Sequence, residues 1–217
     1  MTKIERKKIS NKLLIPAIAI ALTTFVIASP ATAHHAFGGE TPKNLFEGFL
    51  AGLAHPIIGV DHFAFVIAIG MLAALKQKNG IFIPVAFILA TMLGTGIHLL
   101  NIDLPVPEII ISASVLTLGV MLAMKNSPNL IGSIATVTIA GIFHGYAYGE
   151  SIVGAQMTPL VAYLAGFAAI QLAISLTAFA TTKYTFKIAS QPALNLRFAG
   201  FLIAGAGAAF LSSAILG

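Results

Sequence analysis

Six long apolar segments dominate this 217-residue chain and leave little choice of fold. Each is close to the roughly 20 residues that an α-helix needs to cross a lipid bilayer. Only 9% of the residues are charged, against about 25% in a typical soluble domain. The sequence therefore predicts an all-α integral membrane protein with a bundle of six transmembrane helices in the lipid bilayer. The predicted spans are residues 59–75, 81–100, 106–124, 130–149, 158–182 and 196–216.

The segment that precedes the first span, residues 44–58, is apolar but too short to cross the membrane alone. We interpret it as a short interfacial or re-entrant helix that packs against the bundle. Pro56 and Gly59 are expected to break the backbone, which leaves His55 on a turn while Asp61 and His62 open a helix. Broken segments at membrane depth are tolerated only where protein or a water-filled cavity satisfies the backbone.

The first 33 residues have the pattern of a secretory signal peptide. Five basic residues lie within the first twelve positions, an apolar stretch follows, and Ala31-Thr32-Ala33 matches an A-x-A cleavage site. We expect cleavage there, which leaves residues 34–217 as one six-helix transmembrane domain; an uncleaved first membrane helix is the alternative. The mature chain would begin with His34 and His35, which could chelate a divalent metal or belong to a non-binding tail.

The charges divide between the two sides of the predicted bundle. With the mature N-terminus outside and six crossings, nearly all remaining basic residues fall in cytoplasmic loops, as the positive-inside rule requires. This topology suits the cytoplasmic membrane of a bacterium, and the basic residues give no indication of nucleic-acid binding. The outer side gathers the acids of the mature chain and all the histidines, an arrangement expected of a cation entrance. These residues are Glu40, Glu47, Asp61, Asp103, Glu108, Glu150, His34, His35, His55, His62, His98 and His144.

A first cluster of polar residues runs from His55 to Asp61 and His62, at the outer end of the first span. Ionisable groups at a membrane boundary are costly and are usually functional. Imidazoles and a carboxylate form a typical ligand set for a borderline divalent metal. The two histidines could bind the metal while Asp61 orients an imidazole, or Asp61 could be a direct ligand. Alternatively, Asp61 caps a helix and the histidines bond to loop carbonyls.

A second cluster, Phe143-His-Gly-Tyr-Ala-Tyr-Gly-Glu150, ends the fourth span. His144 and Tyr148 are four residues apart and share a helix face, and Glu150 follows where the helix is expected to end. His144 and Glu150 are further candidate ligands; a packing helix with an interfacial tyrosine and glutamate is the alternative. Glycines spaced by four residues also predict a face for close helix contact.

In their order, the two clusters resemble the paired signatures of the HupE/UreJ family of nickel/cobalt permeases, roughly H-P-x-x-G-x-D-H and H-G-x-A-H-G-x-E. The resemblance implies a secondary permease that takes up Ni²⁺ or Co²⁺ across the cytoplasmic membrane. It implies transport rather than enzymatic activity, and no permanently bound cofactor. Tyr148 departs from the pattern, which usually has a histidine at that position. The implied metal ligands are His55, Asp61, His62, His144 and Glu150.

Two other polar residues could support such a site. His98, near the outer end of the second span, could compensate for the missing histidine or could be an interfacial, hydrogen-bonded residue. Gln171, inside the fifth span, could line a polar path, although such residues more often hydrogen-bond between helices.

Other functions fit the same residues. An intramembrane metal-dependent hydrolase could use them as zinc ligands, with Glu150 as general base, although the sequence has no HExxH motif. A haem-binding membrane protein would use paired histidines on facing helices. Since the sequence has no P-loop, transport would not be powered by ATP in this chain. The membrane potential could drive it, at roughly 4.6 kcal/mol for a dication per 100 mV.

Overall fold

The computed structural model describes residues 40–76 and 79–217, and the regular secondary structure in these ranges is helical. The prediction of an all-α membrane protein is therefore confirmed in its fold class. The predicted signal peptide, with His34 and His35, lies outside the described residues. The helices are α1 (Leu45–Ile58), α2 (Val60–Leu75), α3 (Phe82–Leu99), α4 (Pro107–Ala123), α5 (Leu130–Glu150), α6 (Met157–Ile188) and α7 (Pro192–Leu216).

Several of these helices can span a membrane. α3, α5, α6 and α7 are each long and apolar enough to cross alone. α1 and α2 meet at a bend of 81° and together are long enough for a fifth span. α4 is apolar as well, but its 17 residues are slightly fewer than the roughly 20 that a bilayer requires. The chain is a multi-pass membrane protein, and six crossings stays a prediction.

The bend between α1 and α2 lies at Gly59, whose backbone is extended with φ −71° and ψ 100°. Pro56 lies inside α1, which continues to Ile58, so the expectation that Pro56 leaves His55 on a turn is wrong. Near a helix end, a proline removes only one hydrogen bond and the remaining turn can still form. A side chain at position 59 would collide with the ring of His62, since its Cβ would lie 2.5 Å from Cδ2.

The remaining helices pack in close pairs at glycines. In the α3–α5 pair, a Cβ added at Gly94 would collide with the backbone of Ile142, and one added at Gly145 with the backbone of Thr91. Such small residues let two helix backbones approach closely in a membrane. The predicted glycine face of α5 is confirmed, because three glycines spaced by four residues all contact α3. They are Gly141, Gly145 and Gly149.

α6 has 32 residues, about 48 Å of helix, and provides the wall along which α1 and α2 run. Gly52 of α1 packs against the backbone of Tyr163, and Gly70 of α2 packs against that of Ser175, further along α6. The two short helices therefore contact successive stretches of α6, one after the other. The bend between them holds the residues of the first sequence cluster.

The two ends of the bundle differ in charge. We call one end the basic end; it comprises the last turns of α2, α4 and α6 and the first turns of α3, α5 and α7. There Lys76 donates to Ser127 and Pro128, and Arg197 donates to the carbonyl of Ala123. The opposite end, here called the acidic end, carries the described aspartates and glutamates together with Lys43.

A large apolar core lies between α2, α3, α4 and α5. It begins one turn after the start of α2 and extends toward the basic end, so it lies between the first sequence cluster and that end of the bundle. Side chains at its centre are at most 1% exposed. They include Phe65, Ile69, Leu72, Phe87, Leu118, Leu122 and Val137.

Candidate metal site

Histidines from the two sequence clusters meet in the interior of the bundle. Nδ1 of His62, in the first turn of α2, lies 2.6 Å from Nδ1 of His144 in α5. Both side chains are buried, and 82 residues separate them in the sequence. The two clusters therefore form one structural site, as their resemblance to a paired signature implied.

The second ring nitrogen of His144 has a partner on α4. Its Nε2 lies 3.0 Å from Oγ of Ser114, and the hydroxyl of Ser114 donates to the carbonyl of Ile111 at 2.6 Å. Because the serine proton is used in that bond, the serine oxygen accepts a hydrogen bond from Nε2–H of His144. Nδ1 of His144 then carries the lone pair, and Nδ1–H of His62 donates to it.

His55 lies on the other side of the bend, with its ring centroid 5.8 Å from that of His62. Its Nδ1 is 2.9 Å from Oγ of Ser151 and 3.1 Å from the hydroxyl of Tyr163. The Tyr163 hydroxyl donates to the carbonyl of Tyr148 at 2.8 Å, so its oxygen can only accept from Nδ1–H of His55. Nε2 of His55 is then the nitrogen with the lone pair, the form that can bind a metal.

Tyr148 fills the space between these histidines. Its ring lies edge-on to those of His55 and His62, with centroids 4.9 and 4.7 Å away. The side chain is fully buried, and its hydroxyl has no hydrogen-bond partner among the residues described. Tyr148 is thus part of the wall around the histidines, at the position where the family pattern has a further imidazole.

Aromatic rings close the site on the side of the basic end. Phe65 stacks on the ring of His144 with centroids 4.4 Å apart, and Phe87 meets that ring edge-on at 5.7 Å. Both phenylalanines belong to the large apolar core. The apolar core therefore closes this side of the site, and an ion could pass from the site to the basic end only if the core opened.

On the other side, a cavity of about 360 Å³ at the acidic end reaches His62. Its lining includes His62 and three carboxylates, those of Asp61, Glu108 and Glu150. Oδ1 of Asp61 accepts a hydrogen bond from the backbone N–H of His62 at 2.8 Å. The N-cap of α2 is Gly59, so Asp61 does not cap the helix; its carboxylate satisfies one N–H of the first turn and contributes negative charge to the cavity.

The two glutamates reach the cavity in different ways. Glu150 is the last residue of α5 and is exposed; it stands directly after Gly149, one position earlier than the acid in the family pattern. Glu108 follows a turn at Val106, whose backbone is left-handed with φ 43° and ψ 53°, a conformation that β-branched residues rarely adopt. This turn brings the start of α4 to the cavity.

The predicted ligands thus form two adjacent groups. We call His55, His62 and His144 the histidine cluster; the carboxylates of Asp61 and Glu150 lie beside it on the cavity. Within residues 40–76 and 79–217, no three His, Cys, Asp or Glu side chains are close enough together to hold a metal ion. A site that uses both groups would require them to move together, and the five-residue ligand set stays a prediction.

The accessory candidates lie apart from this cluster or beside it. The described contacts of His98 are with the ring of Tyr146, at 4.4 Å, and with Gly149. Oε1 of Gln171 lies 3.5 Å from Oγ1 of Thr91, which links α6 to α3 as an interhelical contact. The contact of Gln171 agrees with the interhelical alternative, whereas the buried Nδ1 of His98 has no hydrogen-bond partner among the described residues, so the role of His98 stays a prediction.

Three site residues were missed in the sequence. Ser114 is one of three hydroxyl residues in an apolar span and nothing in the sequence sets it apart from the other two, while Tyr163 stands in another apolar span with no neighbouring polar residue to single it out. Glu108 follows Pro107 at a helix start, where an acid is common because it interacts favourably with the helix dipole. Only the contacts across helices reveal their roles.

Comparison with known proteins decides the family. A family model described as HupE / UreJ protein matches residues 21–210. The chain belongs to the HupE/UreJ family. "Protein HupE" of Rhizobium leguminosarum bv. viciae is 31% identical over 194 residues, which cover 88% of this chain and 96% of that protein. No solved structure matches the chain.

Membership confirms the resemblance that the two clusters suggested. The HupE/UreJ family is associated with nickel and cobalt uptake, and its members are transporters or accessory proteins rather than enzymes. The family therefore favours transport over the hydrolase alternative, which assigned Glu150 as a general base.

Proposed function

We propose that this protein is a secondary permease that takes up Ni²⁺ or Co²⁺ through the histidine cluster, with its acidic end on the outer side of the cytoplasmic membrane. The contact between Nδ1 of His62 and Nδ1 of His144 carries this proposal. Two imidazole nitrogens in adjacent positions on a metal, with bonds near 2.1 Å, lie about 3 Å apart. To accept an ion, the observed 2.6 Å therefore needs to widen by only a few tenths of an ångström, and the proton on Nδ1 of His62 must leave that nitrogen.

The donor set supports this class of cargo. Imidazole nitrogens suit Ni²⁺, Zn²⁺ and related transition metals, whereas Ca²⁺ and Mg²⁺ prefer sites made of oxygen atoms. The chain has no cysteine, so a thiolate site for softer metals is excluded. Neutral imidazoles with available lone pairs can replace part of the water shell of a dication.

The path that we propose follows the polarity of the bundle. Carboxylates of Asp61, Glu108 and Glu150 attract the cation to the cavity and raise its local concentration. The ion then exchanges water for nitrogen atoms of the histidine cluster. Release requires the apolar core to open toward the basic end, and the inside-negative potential drives the cation in that direction.

The experiment is uptake of Ni²⁺ and Co²⁺ by cells that express the wild type or the His62→Ala variant. Accumulation of one or both ions by the wild type, and its loss in His62→Ala at equal protein level in the membrane, is the expected result. His98→Ala is the matched control, because the described contacts of His98 lie outside the histidine cluster. Normal uptake by His62→Ala would refute the site, and no uptake by the wild type would refute the permease.

A further inference from the structure

Ser114 connects the histidine cluster to α4, a helix that supplies none of the predicted ligands. Its side chain is buried, and its Oγ contacts two atoms, the carbonyl oxygen of Ile111 at 2.6 Å and Nε2 of His144 at 3.0 Å. The first contact uses the serine proton, so the second must be a hydrogen bond that His144 donates.

A neutral imidazole carries one proton on two nitrogens, and only the other nitrogen can bind a metal. Which nitrogen is available depends on the partner of the protonated one. With Ser114 in place, the proton of His144 lies on Nε2 and the lone pair lies on Nδ1, which is the atom that faces His62 at 2.6 Å.

Without this hydroxyl, Nε2–H of His144 would lose its acceptor in a buried environment. Leaving a buried donor unsatisfied is unfavourable, and a shift of the proton to Nδ1 would relieve that cost. Nδ1 of His144 would then carry a proton instead of a lone pair, and its contact with His62 would stay favourable only if the proton of His62 moved from Nδ1 to Nε2.

The plane of the ring is set separately. Phe65 stacks on His144 and Phe87 packs against its edge, so these contacts orient the imidazole regardless of where its proton lies. Packing and hydrogen bonding therefore have distinct roles here, and the proton position depends on Ser114.

We propose that Ser114 is a positioning residue for ion transport, which holds His144 as the Nε2–H tautomer and thereby presents its Nδ1 lone pair to the cation. This inference rests on the proposed function, because it assigns the proton state of a ligand in the proposed site.

The transport test compares Ser114→Ala with two other variants. Ser114→Thr keeps the hydroxyl, and Ser112→Ala removes another buried serine of the same helix, two residues away. We expect Ser114→Ala to raise the KM for Ni²⁺ or Co²⁺ uptake about 10- to 100-fold, the usual cost of losing the partner of a metal-binding histidine. The maximal rate should change less, Ser114→Thr should restore most of the affinity, and Ser112→Ala should resemble the wild type.

A spectroscopic test does not depend on transport. In the purified wild type labelled with ¹⁵N-histidine, the His144 signals, assigned by their loss in His144→Gln, should show a proton on Nε2. Ser114→Ala should move that proton to Nδ1 or produce a mixture of tautomers. Retention of the Nε2–H form in Ser114→Ala would overturn the assignment even if the variant folds poorly in cells.

The outcomes separate the two proposals. A wild type that transports neither ion refutes the permease, whatever the NMR shows. An active wild type with an unchanged KM in Ser114→Ala refutes the role of Ser114 and leaves the permease standing. A lower maximal rate at constant KM, without rescue by Ser114→Thr, would show a purely structural role and would also refute the proposal.

Discussion

The ring of Tyr148 lies edge-on to the ring of His62, with their centroids 4.7 Å apart inside the bundle. A neutral phenol is a weak ligand, so tyrosine at this position leaves the site with one fewer nitrogen than the family pattern provides. The identity of this side chain should therefore affect which metal the site prefers.

Tyr148→His should add a nitrogen donor beside His55 and His62. Sites rich in nitrogen bind Ni²⁺ more tightly than Co²⁺, so we expect the KM for nickel uptake to fall several-fold relative to that for cobalt. Competition between the two ions in uptake assays measures this ratio. Tyr148→Phe is the control, since it keeps the ring and removes the hydroxyl. An unchanged nickel-to-cobalt ratio in Tyr148→His would contradict a role for this position in selectivity.

The carboxylates of the cavity should act mainly on ion capture. Asp61→Asn removes a charge but keeps an oxygen that can accept the backbone N–H of His62, so α2 should still form. We expect Asp61→Asn and Glu150→Gln to raise the KM for uptake a few-fold. The increase should be larger at low ionic strength, because salt screens exposed charges. The maximal rate should change less.

Glu40→Gln is the control for this series. Glu40 lies outside the cavity. A hydrogen bond from Lys43 at 2.9 Å lowers the pKa of the Glu40 carboxyl, so this side chain is charged at neutral pH. The control therefore also removes one negative charge. Uptake by Glu40→Gln should match the wild type. A similar loss of affinity in all three variants would mean that total charge, rather than the cavity, controls capture.

Two glycines of α3 should differ sharply in their tolerance of a methyl group. In Gly94→Ala, the added Cβ would collide with backbone atoms of α5, whereas in Gly96→Ala it would meet nothing within 4 Å. We expect Gly94→Ala to destabilise the fold by about 1–3 kcal/mol or more, as overpacking does. Gly96→Ala should be neutral or slightly stabilising, because alanine favours a helix. Thermal unfolding in detergent gives the comparison, and equal midpoints would contradict the close α3–α5 contact.

The orientation of the bundle can be tested directly because the natural chain contains no cysteine. Single cysteines can be placed at two exposed positions, Gln156→Cys at the acidic end and Lys125→Cys at the basic end. A membrane-impermeant thiol reagent added to intact cells should label Gln156→Cys only. Labelling of Lys125→Cys alone would invert the orientation and exclude the proposed direction of uptake.

Much of this architecture could be predicted because apolar runs and charge bias act locally. Residues near one another in the sequence were enough to predict the apolar helices, the short segment that precedes the first span and the glycine face of α5. The break at Gly59 follows from the sequence as well, whereas the expected break at Pro56 does not occur, because a proline is tolerated so near the end of α1.

The residues of the candidate site could be singled out from the sequence, but their geometry could not. His62 and His144 stand out as ionisable residues in apolar surroundings, yet no local pattern indicates that their Nδ1 atoms touch. Ser114 and Tyr163 carry no sequence signal, since a hydroxyl in a membrane helix usually bonds to its own backbone. Their roles depend on neighbours from other helices, which only the tertiary structure defines.

The apolar core between the histidine cluster and the basic end is also a barrier to ions. Phe65, Leu72 and Leu122 belong to a layer whose central side chains are at most 1% exposed, and a bare ion there would lack both water and counter-charge. Transfer of a small ion into such a medium costs of the order of 20 kcal/mol. With this layer closed, the protein is an electrical insulator, and many copies can lie in one membrane without dissipating an ion gradient across it.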